Sequence, residues 1–159
     1  MKRIVLSLAL FAFAGFSQSI SPITAFNSQD FLVNGAWLAD DGSQGNYVST
    51  VYFENDGWTT AQFRVGSLYI YENVLNFDAN GFFSAQVTDA SDPANPAYYG
   101  GFGNCGSSQC QMSVLLNNGV LQKSMVFDYV NNEFYGFGAI YFNDGTPNVQ
   151  WEESAVALP

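Results

Sequence analysis

Gln111-Met112-Ser113-Val114-Leu115-Leu116, then Asn117-Asn118-Gly119, then Val120-Leu121-Gln122-Lys123-Ser124-Met125-Val126-Phe127-Asp128-Tyr129, sets the pattern from which the fold is read. The two long runs are rich in side chains that suit a pleated, half-buried surface. Asn and Gly between them tolerate the positive φ angles that tight hairpins demand. A connection this short makes the flanking strands antiparallel neighbours. The same grammar continues in both directions. Asn131-Asn132 precedes a run at Phe134–Phe142, and Asn143-Asp144-Gly145 leads on to Val149–Glu152. Upstream, Asn55-Asp56-Gly57 joins Tyr47–Glu54 to Trp58–Val65, and Asn80-Gly81 joins Leu68–Phe77 to Phe82–Thr88. Phe31–Ala39 and Tyr98–Phe102 complete the set.

Two joints are longer: the Gly-rich stretch 40–46, and 89–97 with Pro93 and Pro96, the expected lid or rim. No run beyond the N-terminal segment keeps a helical apolar period. The expectation is an all-β domain over residues 31–159, an antiparallel meander of about 8–10 strands. An up-and-down barrel, whose interior can hold one small ligand, is favoured over a two-sheet β-sandwich. An outer-membrane barrel ranks third. Thr60, Gln62 and Arg64 alternate with Ala61, Phe63 and Val65 without the sustained apolar face that a lipid-facing strand shows.

Lys2-Arg3 followed by the apolar run Ile4 to Phe16 and then small polar residues reads as a secretory signal peptide over 1–19, with a linker over 20–30. The run is too short to cross a bilayer as an ordinary helix. A secreted or periplasmic protein of bacterial type is expected. Export gives the two cysteines a meaning. Cys105 and Cys110, separated by Gly106-Ser107-Ser108-Gln109, read as one disulfide. Closing so small a loop stabilises by roughly 2 kcal/mol.

Only 11% of residues are charged, less than half the usual share, while 17% are aromatic. The net charge is −10, and loss of Lys2 and Arg3 leaves two basic residues against fourteen acidic ones, a net of −12. Such a surface repels phosphate backbones and anionic headgroups, so no nucleic-acid partner and no integral membrane role are expected.

Asn34-Gly35-Ala36-Trp37 places a G-x-W on the first strand. This resembles the opening of lipocalins and the wider calycin group, including avidin-like proteins. The resemblance implies an up-and-down barrel with a ligand pocket, no catalysis, and a Trp packed across the closed end. The chain departs from that pattern in lacking an evident C-terminal helix, and Lys123 and Arg64 alone could serve as the basic residue capping the Trp.

There is no histidine, which removes the commonest general base and metal ligand. With both cysteines paired, no thiol nucleophile remains. A glycosidase needs only two carboxylates, and Glu72 and Glu133 sit beside aromatics, although positions on solvent faces or strand ends are the favoured reading for both. Asp40-Asp41-Gly42 with Asn46, and Asp89 with Asp92, place oxygens in loops without the spacing of a dedicated calcium loop. The reading is therefore an exported non-enzymatic binding protein for a small apolar or amphipathic ligand, with no cofactor and no metal. The alternatives are a carbohydrate-binding module or small glycoside hydrolase, and a structural or adhesive surface protein. Tyr98, Tyr99, Trp58 and Tyr71 are the candidate ligand-binding residues, since such rings join an apolar face to a polar edge. Adjacent strand residues face opposite ways, so one of Tyr98 and Tyr99 should point outward or into a pocket.

Overall fold

Period-two alternation runs through ten segments, and hydrogen bonding along both edges of each closes them into a ring. The computed structural model describes residues 25–54 and 57–159. The signal peptide expected over 1–19, the linker up to residue 24, and the turn residues Asn55 and Asp56 lie outside the described residues. The strands are β1 (Asp30–Ala39), β2 (Gln44–Glu54), β3 (Gly57–Val65), β4 (Leu68–Leu75), β5 (Phe82–Asp89), β6 (Ala97–Cys105), β7 (Gln109–Leu116), β8 (Gly119–Asp128), β9 (Glu133–Phe142) and β10 (Val149–Ala157). Each pairs antiparallel with the next, and β1 pairs with β10, giving a closed up-and-down barrel rather than a sandwich.

The hairpin chemistry holds where positive φ is needed. Gly81, Asn132 and Gly145 adopt φ of 85°, 54° and 88°. Gly119 differs. It is an inward strand residue, and a Cβ there would run into the Tyr141 carbonyl, so crowding rather than turn geometry demands glycine.

Strand β3 explains why the alternation over residues 60–65 is only partly apolar although the segment is a strand, as expected. The ladder to β4 shifts register between Thr60 and Phe63, the mark of a bulge. Thr60, Phe63 and Val65 all point inward, while Ala61, Gln62 and Arg64 are exposed. Ser49 Oγ donates to the Ala61 carbonyl at 2.8 Å, giving the bulged backbone a partner.

Strand β10 extends five residues past the expected Glu152. Ala155 and Ala157 have weak strand propensity, but they pair with Val33 and Phe31, and closing the barrel outweighs that preference. Cys105 and Cys110 face each other across β6 and β7 and are bonded as a disulfide.

The interior is filled with side chains. Phe31, Phe53, Phe127 and Phe134 form an aromatic layer near one end, and Phe26, on a helical turn at residues 25–28, plugs that end. Its ring lies 4.9 Å from Phe31, 5.2 Å from Tyr129 and 5.6 Å from Phe53, in edge, stacked and tilted contacts respectively, as ring quadrupoles favour. The stretch read as a linker thus contributes a core residue. Aliphatic side chains, among them Val65, Ile70, Val87 and Ile140, fill the barrel toward the other end.

Candidate functional site

Two features stand out once the sides of the sheet are assigned: a charged cluster inside the barrel and an uncharged trough on its outer wall.

Counting by two along β4, β8 and β10 places one charged residue at an inward position on each. Glu72 falls between Ile70 and Val74, Lys123 between Leu121 and Met125, and Glu153 between Trp151 and Ala155. The three meet inside. Lys123 Nζ lies 2.9 Å from Glu153 Oε1 and 3.5 Å from Glu72 Oε2, with all three side chains about 2% exposed. Glu153 Oε1 is held by this ion pair rather than by an aligned hydrogen bond. Tyr47 OH donates to Glu153 Oε2 at 2.6 Å, and Trp58 Nε1 donates to Glu72 Oε1 at 3.0 Å. Thr60 Oγ1 adds a long contact of 3.4 Å to the same oxygen.

Burial alone would lower the Lys123 pKa, but the carboxylates of Glu153 and Glu72 reverse this and hold it above the ordinary lysine value. The Tyr47 phenol is pushed up by burial and further by Glu153. Gly35 and Gly136 leave the space this arrangement needs. A Cβ at Gly35 would enter the Tyr47 ring, and one at Gly136 would enter the Glu153 side chain. The glycine of the G-x-W therefore serves the Tyr47–Glu153 pair. Two carboxylates thus share one ammonium, and all three side chains are closed off from solvent.

This corrects one expectation. Glu72 is not on a solvent face but at the centre of the barrel. Glu133 remains at a strand end, where Tyr135 donates to it at 2.9 Å. The loop aspartates accept from nearby groups instead. Asp41 takes the Ser43 amide at 2.9 Å, Asp40 the Asn148 amide nitrogen at 2.9 Å, Asp89 the Ser91 amide at 2.9 Å, and Asp92 the Ala94 amide at 3.2 Å. Arg64 lies on the surface over Tyr69, and Lys123 is committed to its carboxylates, so neither caps Trp37, which is partly buried toward the C-terminal end of β1.

The four candidate ligand-binding residues divide between the two faces. Trp58 is in the core at 1% exposure, and Tyr99 packs partly against that core. Tyr98 and Tyr71 lie outside, each opposite Thr88 from the two flanking strands. The fold brings Tyr71 and Tyr98 to one patch and removes Trp58 and Tyr99 from it.

The outer trough was not legible as a motif because it is built from register. Across β7 to β10, one row reads Ser113, Gln122, Ala139, Gln150, and the row beside it reads Gln111, Ser124, Phe137, Glu152. On one side of these rows stand Leu115, Val120 and Tyr141, and on the other Val126 and Tyr135. One groove of about 360 Å³ lies over Gln111, Ser113 and Gln122, walled by Phe82 and Phe102. A second, of about 280 Å³, shares Gln122 and Ser124 with it and is walled by Phe137 and Tyr141. Phe137 also borders a third groove, of about 390 Å³, over Asn34, Ala36 and Ser154, where Glu152 brings the first charge. Phe102 is 72% exposed and Phe137 53%, unusual for phenylalanine without a partner. Lys123 touches the first two grooves only through its backbone side, its ammonium being turned inward.

No protein-family model matches the chain, and no curated protein is similar to it.

Proposed function

We propose that this is an exported, non-enzymatic binding protein that takes an uncharged carbohydrate on the outer wall of the barrel. The observation that carries the reading is the trough across β6 to β9: amides and hydroxyls on the floor, exposed aromatic rings at the sides, and no charged side chain in its first two grooves. Sugars present hydroxyls at the rim and C–H groups on the faces of the ring, which suits such a mixture. An aromatic side chain supplies a rigid apolar face at small entropic cost.

The disulfide fits an oxidising compartment, in keeping with export. The barrel agrees with the lipocalin resemblance in its meander, but an enclosed apolar ligand would need space. Between Trp58, Glu72, Phe83, Met112, Lys123 and Met125 there is no room even for a water molecule. The locked state of Glu72 and Glu153 favours binding over hydrolysis. The wall also favours a ligand over lipid: exposed Gln111, Gln122 and Gln150 occupy its middle while the interior is apolar, the reverse of a membrane barrel.

A glycan array followed by calorimetry tests this reading. At least one uncharged glycan should bind, and Phe102→Ala should weaken it roughly tenfold or more, as expected for an exposed aromatic anchor. Binding that survives Phe102→Ala and Gln122→Ala unchanged would place the ligand elsewhere, and an array without signal would end the carbohydrate assignment.

A further inference from the structure

We infer that the trough takes an internal segment of an extended, uncharged polysaccharide laid across the strands, rather than a single sugar or a chain end. This rests on the carbohydrate reading above and sets the ligand's length, direction and charge. Phe102 on β6 and Phe137 on β9 stand three strand spacings apart, roughly 14 Å, too far for one sugar ring to touch both. The grooves beside them are continuous, because both include Gln122 and Ser124. Their axis crosses the strands, since the floor residues follow one another through cross-strand register rather than along a single strand.

An exposed ring stands at each end, Phe102 at one and Phe137 at the other. Past Phe102 the wall continues through Ser84 on β5, and past Phe137 through Ala36 and Asn34 on β1. Within β9, Ala139 between Phe137 and Tyr141 leaves a notch at the crossing point. Ser84 past Phe102, and Ala36 and Asn34 past Phe137 and Glu152, are small, so a chain that crosses the two rings runs on over the wall rather than into a closed pocket. The apolar rows of Leu115, Val120 and Tyr141 on one side, and Val126 and Tyr135 on the other, confine a chain laterally.

Charge limits the class. The protein carries −10 overall, and Glu152 stands at the exit beyond Phe137, so a polyuronate or sulfated chain meets an unfavourable net field and direct repulsion at that exit. An uncharged chain meets amides and hydroxyls on the floor and aromatic rings at the sides.

The test is calorimetric titration of the folded protein with linear oligomers, from monomer to hexamer, of glucose, xylose, mannose and N-acetylglucosamine, with a polyuronate hexamer as the anionic probe. In one uncharged series the affinity should climb at least tenfold from dimer to hexamer. Phe102→Ala and Phe137→Ala should each remove most of that gain, while Tyr71→Ala, on β4, should leave it intact. Melting curves confirm that these surface variants stay folded. A dimer binding as tightly as the hexamer, or loss on Phe102→Ala but not on Phe137→Ala, would overturn the extended-chain inference and leave the carbohydrate site standing. Tighter binding of the polyuronate would overturn the assignment of charge. Binding of no oligomer in any series would overturn both this inference and the function it rests on.

Discussion

Lys123 sits at 4% exposure between two carboxylates, and this one side chain holds the interior together electrostatically. Its removal leaves Glu72 and Glu153 as buried like charges. Lys123→Met is expected to cost about 3–5 kcal/mol, the usual penalty for orphaning a buried charge, read from urea midpoints. Replacing Glu72 and Glu153 with leucine in the same chain should restore much of that loss, because it takes away the uncompensated charges. The pH dependence follows from the same atoms. Tyr47 and Lys123 both have folded pKa values raised above their ordinary 10.0 and 10.5. A group that keeps its proton more tightly when folded contributes its full share below the unfolded pKa and loses it as pH rises. Stability should therefore hold through neutral pH and fall once the pH passes about 10. Tyr47→Phe should make that alkaline fall shallower, and a midpoint that stays flat to strongly alkaline pH would contradict the assignment.

Among elements, the hairpins were readable because Asn and Gly mark turns locally, and their strands began and ended close to where the turn chemistry placed them. The elements that misled did so for nonlocal reasons. The bulge in β3 reverses the inward parity between Thr60 and Phe63, so a strict alternation count fails there. The end of β10 owes its state to β1 rather than to its own alanines. That dependence is testable. A chain ending at Glu153 leaves Phe31, Leu32 and Val33 without their partners, presenting an apolar edge. Rapid amide exchange in β1 and concentration-dependent light scattering are expected; a truncated chain that stays monomeric and protected would show that the seam contributes little. The charged cluster had a readable signal, one ionisable residue on the apolar parity of each of three strands. The trough had none, because Gln122 meets Ser113 and Ala139 only through register, which no single strand encodes.

At the scale of the whole molecule, the usual roles of the two faces of a barrel are exchanged. The inside, where a lipocalin-like barrel would receive its ligand, is given over to Phe26, the aromatic layer and an ion cluster, and the function proposed above moves recognition to the wall. The low charge that first set the composition apart is what leaves a neutral amide and hydroxyl surface with exposed rings. Closure carries a consequence for the birth of the molecule. The Gln29 side chain donates to the carbonyl of Leu158, 129 residues away, beside the seam that joins the first strand to the last. A polypeptide made from its amino end cannot zip that seam until β10 exists, and so distant a contact carries a high entropic toll that slows assembly. Until then β1 is paired with β2 on one side only, and it is during that interval that its open edge most needs shelter from neighbouring chains.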